Sequence, residues 1–188
     1  MTQNLRLNHR GHHIFAALIK GKPAAQVYVG KAVATRERFE GSTVEEAADL
    51  ARAWIDDRRS EVIQSRRSPH IGTADEYATY FAAKPPESTR RSMLVAHAAA
   101  PDLTLSAGQL AEAAGWKDFN SANLHYGLLG REVAEALELE LPRHSDGSVV
   151  STAALASSAD PNWKPVGGVF RWRMFEEVAE ALDRLNIR

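Results

Sequence analysis

The 188-residue chain has no cysteine, which excludes disulfide staples and thiolate metal sites and fits a reducing compartment. No run of about 18 apolar residues occurs, so the sequence offers no membrane span. Its opening stretch, MTQNLRLNHRGHH, is polar and basic, without the apolar segment that marks secretion. The expected compartment is the cytoplasm. Also missing are the short patterns of common enzyme chemistries: no P-loop, no GxGxxG after a strand, no GxSxG and no HExxH. Gly167-Gly168 precedes a strand, which is the wrong context for cradling phosphate. His9, His12 and His13 have no carboxylate at ligand spacing. His97 and His125 fall on apolar helical stripes, where a histidine is ordinarily a hydrogen-bonded core residue. The expectation is a non-catalytic protein with no metal site and no cofactor.

What is present is an ordinary globular composition, 44% hydrophobic and 25% charged, and an uneven charge distribution. The net charge of −1 conceals it. Residues 1–44 carry seven basic side chains (Arg6, Arg10, Lys20, Lys22, Lys31, Arg36, Arg38) against Glu37 and Glu40. Residues 86–141 carry four basic side chains against eight carboxylates. A basic first segment suits phosphate or an acidic partner, whereas the acidic segment repels phosphate.

Two apolar runs, HHIFAALI and AQVYVGKAV, are split by Lys20-Gly21-Lys22-Pro23 and read as a hairpin. Its basic residues ride on the turn and solvent face, with Phe15, Tyr28 or Phe39 at hand for stacking. Ser42-x-x-Glu45 and Thr43-x-x-Glu46 then open a helix with Val44, Ala47, Ala48, Ala51, Trp54, Ile55 and Val62 on one stripe. Arg58-Arg59 and Arg66-Arg67 read as a solvated basic cluster at the end of this helix. Thr73-x-x-Glu76 starts a short helix whose Tyr77, Tyr80 and Phe81 should enter a core. Lys84-Pro85-Pro86 is the expected domain boundary, dividing residues 1–84 from 85–188.

Beyond that boundary three helices and a hairpin are expected. The first covers about 87–99, with Leu103-Thr104-Leu105 as a short strand after it. Ser106 and Gln109 cap the second, and Gly115 closes it with a left-handed residue. The third begins near Asn120, with Ala122, His125, Tyr126, Leu129, Val133 and Ala136 inward and Asn120, Leu124, Gly127, Arg131 and Glu135 outward. As a reading helix it would present Lys117, Asn120, Ser121 and Asn123 to a DNA groove, while Glu132, Glu135, Glu138 and Glu140 argue against contact further along. SVVSTAAL is a plausible strand, and 157–168 a loop with Trp163 and Lys164. Val169 to Met174 alternates, placing Phe170, Trp172 and Met174 on one side and Arg171 and Arg173 on the other. A final helix covers 175–185. The fold class is α+β: an N-terminal ββα unit, then a helix-turn-helix or winged-helix-like domain. The nucleic-acid-binding set is Lys117, Asn120, Ser121, Asn123, Lys164, Arg171 and Arg173.

LTLSAGQLAEAAGWKDFNSANLHYGLLGREVAEAL, followed by FRWRMFEEVAEALDRL, resembles a bacterial winged-helix-like domain found in uncharacterised proteins and beside HNH nucleases of restriction type. The likeness covers about residues 88–186. The ββα order ending in EGSTVEEAADLARAWID is similar to the ββα layer of HicB-type antitoxins. The first resemblance implies a DNA-associated protein of a bacterial defence system or mobile element. No HNH motif is present, so nuclease activity is not implied. The acidic third helix favours the other reading, an adaptor or inhibitor for a protein such as a nuclease or toxin, acting as a nucleic-acid mimic. Double-stranded DNA or such a protein is the expected partner. A homodimer would be compatible with this type of domain.

Overall fold

The structure, a computed structural model, describes residues 4–160, 162 and 169–187. It is a mixed α+β architecture in two compact units, Met1–Gln64 and Ser65–Arg188.

The first unit is an antiparallel sheet with one helix on one face. β1 (Leu5–His9), β2 (His12–Ile19) and β3 (Lys22–Val29) form a meander. Its turns, Arg10-Gly11 and Lys20-Gly21, have positive φ at both residues (45° and 74°, 53° and 81°). That is the two-residue hairpin geometry whose twist matches the strands, and glycine makes it accessible. The two-strand reading therefore missed β1. Leu5 and Leu7 alternate with Arg6 and Asn8 there, but the basic residues disguise the pattern as a solvated arm. β4 (Ala32–Val33) and β5 (Phe39–Glu40) both pair with β3.

α1 (Val44–Ser65) lays Val44, Ala47, Ala48, Ala51 and Ile55 on Ile14, Ala16, Ala25, Val27 and Phe39. Thr43 Oγ accepts from Glu46 N (3.1 Å), while the Glu46 carboxylate reaches back to Ser42 N (2.7 Å). The overlapping capping signals thus merge into one cap. Phe39 is buried and packs on Trp54, ring centroids 5.8 Å apart, so it cannot stack on a ligand.

The second unit starts twenty residues before the expected boundary. α2 (Ala74–Ala83) does carry the Thr73–Glu76 capping box, and its Tyr77, Tyr80 and Phe81 are buried as expected. They enter the core of the second unit, together with Met93, Leu94, Tyr126 and Leu129. Lys84-Pro85-Pro86 separates two helices of that core and does not separate domains. α3 (Ser88–Ala98) follows, then a 3₁₀ turn (Pro101–Leu103), β6 (Thr104–Ser106), α4 (Ala107–Ala113) and α5 (Phe119–Leu137). SVVSTAAL is not a strand: Ser151–Ala154 is a 3₁₀ turn, and β7 is Ala156–Ser158. β8 (Arg171–Met174) lies between β6 and β7, antiparallel to both, and α6 (Glu176–Arg184) ends the unit. Among the described residues no helix is long and apolar enough to cross a membrane.

Candidate nucleic-acid interface

α5 is positioned by its two ends and by one close contact. Upstream, Ser106 and Gln109 form the expected capping box of α4, and Gly115, at φ 74°, reverses the chain. Asp118 caps α5, its carboxylate accepting from Asn120 N at 3.0 Å. Along the helix, Ala122, Tyr126, Leu129 and Val133 point inward as expected, joined by Gly130, Ala134 and Leu137. Ala136 is exposed instead. At Gly130 a Cβ would overlap the Ser151 carbonyl oxygen, so the 3₁₀ turn seats directly on the helix backbone. Gly127, one turn earlier, has nothing within 4 Å of an added Cβ.

Beneath α5 lies a polar network inside the core. His97 is fully buried, with Nδ1 2.8 Å from Tyr126 Oη and Nε2 3.0 Å from Trp172 O. A carbonyl only accepts, so Nε2 carries the proton and the tyrosine hydroxyl donates to Nδ1. Burial holds His97 below the usual imidazole range, partly opposed by its bonds to the Trp172 and Leu103 backbone. Burial likewise pushes the Tyr126 hydroxyl far up. His97 is thus a satisfied core histidine, and His125 stacks on Trp116 at 4.8 Å.

The sequence-derived residues separate into distinct groups. Lys117 and Asn120 are exposed at the start of α5, and Ser121 beside them is half-buried. Asn120 Nδ2 donates to Asp118 Oδ1 at 3.0 Å, which constrains the amide expected to read a base. Asn123 is turned inward: its Oδ1 is buried without a hydrogen-bond partner among the described residues. Arg171 and Arg173 are exposed on β8. Strand alternation turns them away from Trp172, whose ring lies 5.8 Å from that of Tyr126 on α5. They occupy the outer face of the sheet, on the side away from α5, and Arg173 lies 3.8 Å from Glu176. Lys164 and Trp163 lie outside the described residues.

The acidic half of α5 is less free than its sequence suggests. Glu132 is held by Lys84 (2.7 Å) and Arg90 (3.0 Å). Its hydrogen bond to Lys84, then the one to Arg90, keeps its carboxyl below the usual range against a burial effect. Arg131 stands 3.8 Å from Glu135. N-terminal to these carboxylates on α5, Phe119 and Leu124 are 55% and 59% exposed, an apolar presence that the charge count hides.

Arg66 is the residue the sequence reading placed worst. It is buried, and its guanidinium bonds Glu76 through Nε (3.0 Å) and Nη2 (2.6 Å). Nη2 also donates to Leu137 O at 2.6 Å, closing the C-terminal end of α5. Arg67, next to it, is largely exposed and pairs with Glu177 (2.9 Å). A solvated cluster describes Arg67 and not Arg66. His9, expected to lack an acidic neighbour, lies 2.8 Å from Asp56, which Arg10 also contacts at 2.8 Å. Among the described residues no three His, Asp or Glu side chains gather as a metal site.

No family model matches the chain, and neither the curated proteins nor the solved structures provide a match.

Proposed function

We propose that the second unit is a winged-helix-like domain and that the chain is a non-catalytic, DNA-associated binding protein of a bacterial defence system or mobile element. The observation that carries this reading is the element order α3-β6-α4-α5-β7-β8 with β8 between β6 and β7. A tight turn at Gly115 leaves the first turns of α5 as the helix end offered to solvent. Lys117 and Asn120 are its polar contacts, and open Gly127 admits a close backbone approach. The bonds of Glu132 to Lys84 and Arg90 weaken the electrostatic objection. The outer-face arginines of β8 are not part of this contact.

Fluorescence anisotropy on a labelled duplex at 50 and 200 mM salt tests the reading. Binding should fall steeply with salt, and Lys117→Ala should reduce the log–log salt slope by about 1. No duplex binding at low salt overturns it. The second reading, a protein partner such as a nuclease or toxin, is favoured by exposed Phe119 and Leu124. Under that reading Leu124→Ala abolishes capture of a co-purifying protein, and duplex binding is absent throughout.

A further inference from the structure

The first unit carries a second surface, independent of α5. Alternation along the meander sends Ile14, Ala16, Ala25 and Val27 toward α1 and their neighbours to the opposite, helix-free face. Arg6 and Asn8 of β1, His13 and Phe15 of β2, and Gln26 and Tyr28 of β3 share that face, since Arg6 pairs with Phe15, Phe15 with Gln26, Asn8 with His13 and His13 with Tyr28.

Part of this face is covered. Gln26 Nε2 donates to Thr35 O (2.5 Å) and Glu37 O (3.1 Å), fastening the segment that carries Arg36 and Arg38 over the sheet. The remainder is an open groove of about 570 Å³ lined by Arg6, Asn8, His13, Phe15 and Tyr28. That volume suits a small planar ligand or one unit of a polymer.

Three features choose the occupant. Phe15 and Tyr28 are diagonal cross-strand neighbours, a relation that separates residues by roughly 7–8 Å, so two flat rings stand side by side on one sheet. The Arg6 guanidinium lies over the Phe15 ring, 5.6 Å from its centroid, so a base that reaches Phe15 meets a planar cation on the same ring. Charge also separates across the unit. Among the described strand residues, Glu40 is the carboxylate that register places on the open face, and Lys22 lies 3.8 Å from it. Glu37 lies between Arg36 and Arg38 in the segment over the sheet, and the carboxylates of α1 belong to the layer on the far side.

We infer that this open face is a stacking platform for single-stranded nucleic acid, with bases on Phe15 and Tyr28 and phosphates beside Arg6, His13 and the 34–38 segment. Phe15 and Tyr28 are half-buried, each with part of its ring open to solvent; such rings on a sheet give sequence-tolerant stacking, and adjacent cations track the backbone. A duplex keeps its bases stacked inside and gains nothing from the rings, so this surface and the α5 contact select different forms of nucleic acid.

The test uses the full chain with two labelled probes, a 12-mer oligo-dT and a 12-mer oligo-rU, in anisotropy titrations at low salt. Binding to at least one is expected, with preference between the two assigning DNA or RNA. Phe15→Ala and Tyr28→Ala should each weaken it roughly 5- to 100-fold. Arg6→Glu, at an exposed site, should weaken it with an unchanged circular dichroism spectrum. Phe15→Trp should retain binding. Lys117→Ala should leave single-strand binding intact while altering duplex binding, which keeps this inference separate from the proposed function. Failure of both oligonucleotides to bind overturns it. So does binding indifferent to Phe15, Tyr28 and Arg6, or single-strand binding lost in Lys117→Ala. If no oligonucleotide binds and Arg6→Glu instead breaks up a self-associated form, the face serves protein and the inference fails.

Discussion

Arg66→Ala should be the most damaging single substitution of a charged residue in the second unit. The Arg66 and Glu76 side chains are 2% and 9% exposed. Truncation removes the guanidinium that bonds both oxygens of the Glu76 carboxylate and withdraws a donor from Leu137 O. Removing one partner of a buried pair costs about 3–5 kcal/mol, because the surviving charge stays desolvated. In a unit of this size that corresponds to a fall of about 10–20 °C in Tm. Circular dichroism melts and urea titrations at pH 7 would measure it. Arg67→Ala is the internal control: its exposed pair with Glu177 predicts about 1 kcal/mol or less. The double variant Arg66→Met with Glu76→Leu removes both charges together and should recover part of the loss, since the α2 capping box and the bond to Leu137 O are not restored. If Arg66→Ala costs no more than Arg67→Ala, the buried pair does not hold α5 to α2 and the reasoning is refuted.

The two glycines of α5 should respond oppositely to alanine. Gly127→Ala gains helix propensity in open space and should stabilise by about 0.5–1 kcal/mol, while weakening duplex binding if that face approaches DNA. Gly130→Ala forces a methyl group into the Ser151 carbonyl and should destabilise by about 1–3 kcal/mol in the same urea assay. Acid should act in two stages. Burial holds His97 below the usual imidazole range in the fold, and burial, then the nearby Arg67 charge, lowers His70 as well. The unfolded chain therefore takes up these protons first, at about pH 6.5. Stability should be full above that pH and fall as pH drops through it, by up to about 1.4 kcal/mol per pH unit for buried His97 and by less for the solvent-screened His70. The Glu132 carboxyl, depressed by Lys84 and Arg90, contributes stability above the unfolded carboxylate pKa that is lost at lower pH. His97→Gln should flatten the first stage in a series of urea titrations from pH 8 to 5.

Much of the fold is written in local pattern. The alternation of 169–174 correctly gives the side of each β8 residue, and the capping boxes at Thr73 and Ser106 locate two helix starts. The stripe of α1 is read correctly from Val44 to Ile55, where its partners are a uniform apolar sheet, whereas Val62, placed on the same stripe, is only half-buried and outside that core. Reading fails where the deciding partner is remote. Arg66 looks like Arg67 until Leu137, 71 positions away, supplies an acceptor. SVVSTAAL has the composition of a strand, but its backbone is held against Gly130 of another element. The candidate site divides in the same way. Asn120 lies on the exposed face that helix periodicity gives it, and Lys117 in the exposed turn before α5, whereas the inward carbonyl of Asn123 depends on packing that no spacing rule contains. Phe15 and Tyr28 belong together only once β2 and β3 set the register.

The segment Gly127-Leu128-Leu129-Gly130 has one further implication, for inheritance. Two identical residues, three apart, answer to unrelated demands: one borders open space and the other a neighbouring carbonyl. Descendants of this chain should substitute the first freely whenever its ligand changes. The second should persist through every change of partner, a fossil of the fold and no guide to what the molecule recognises.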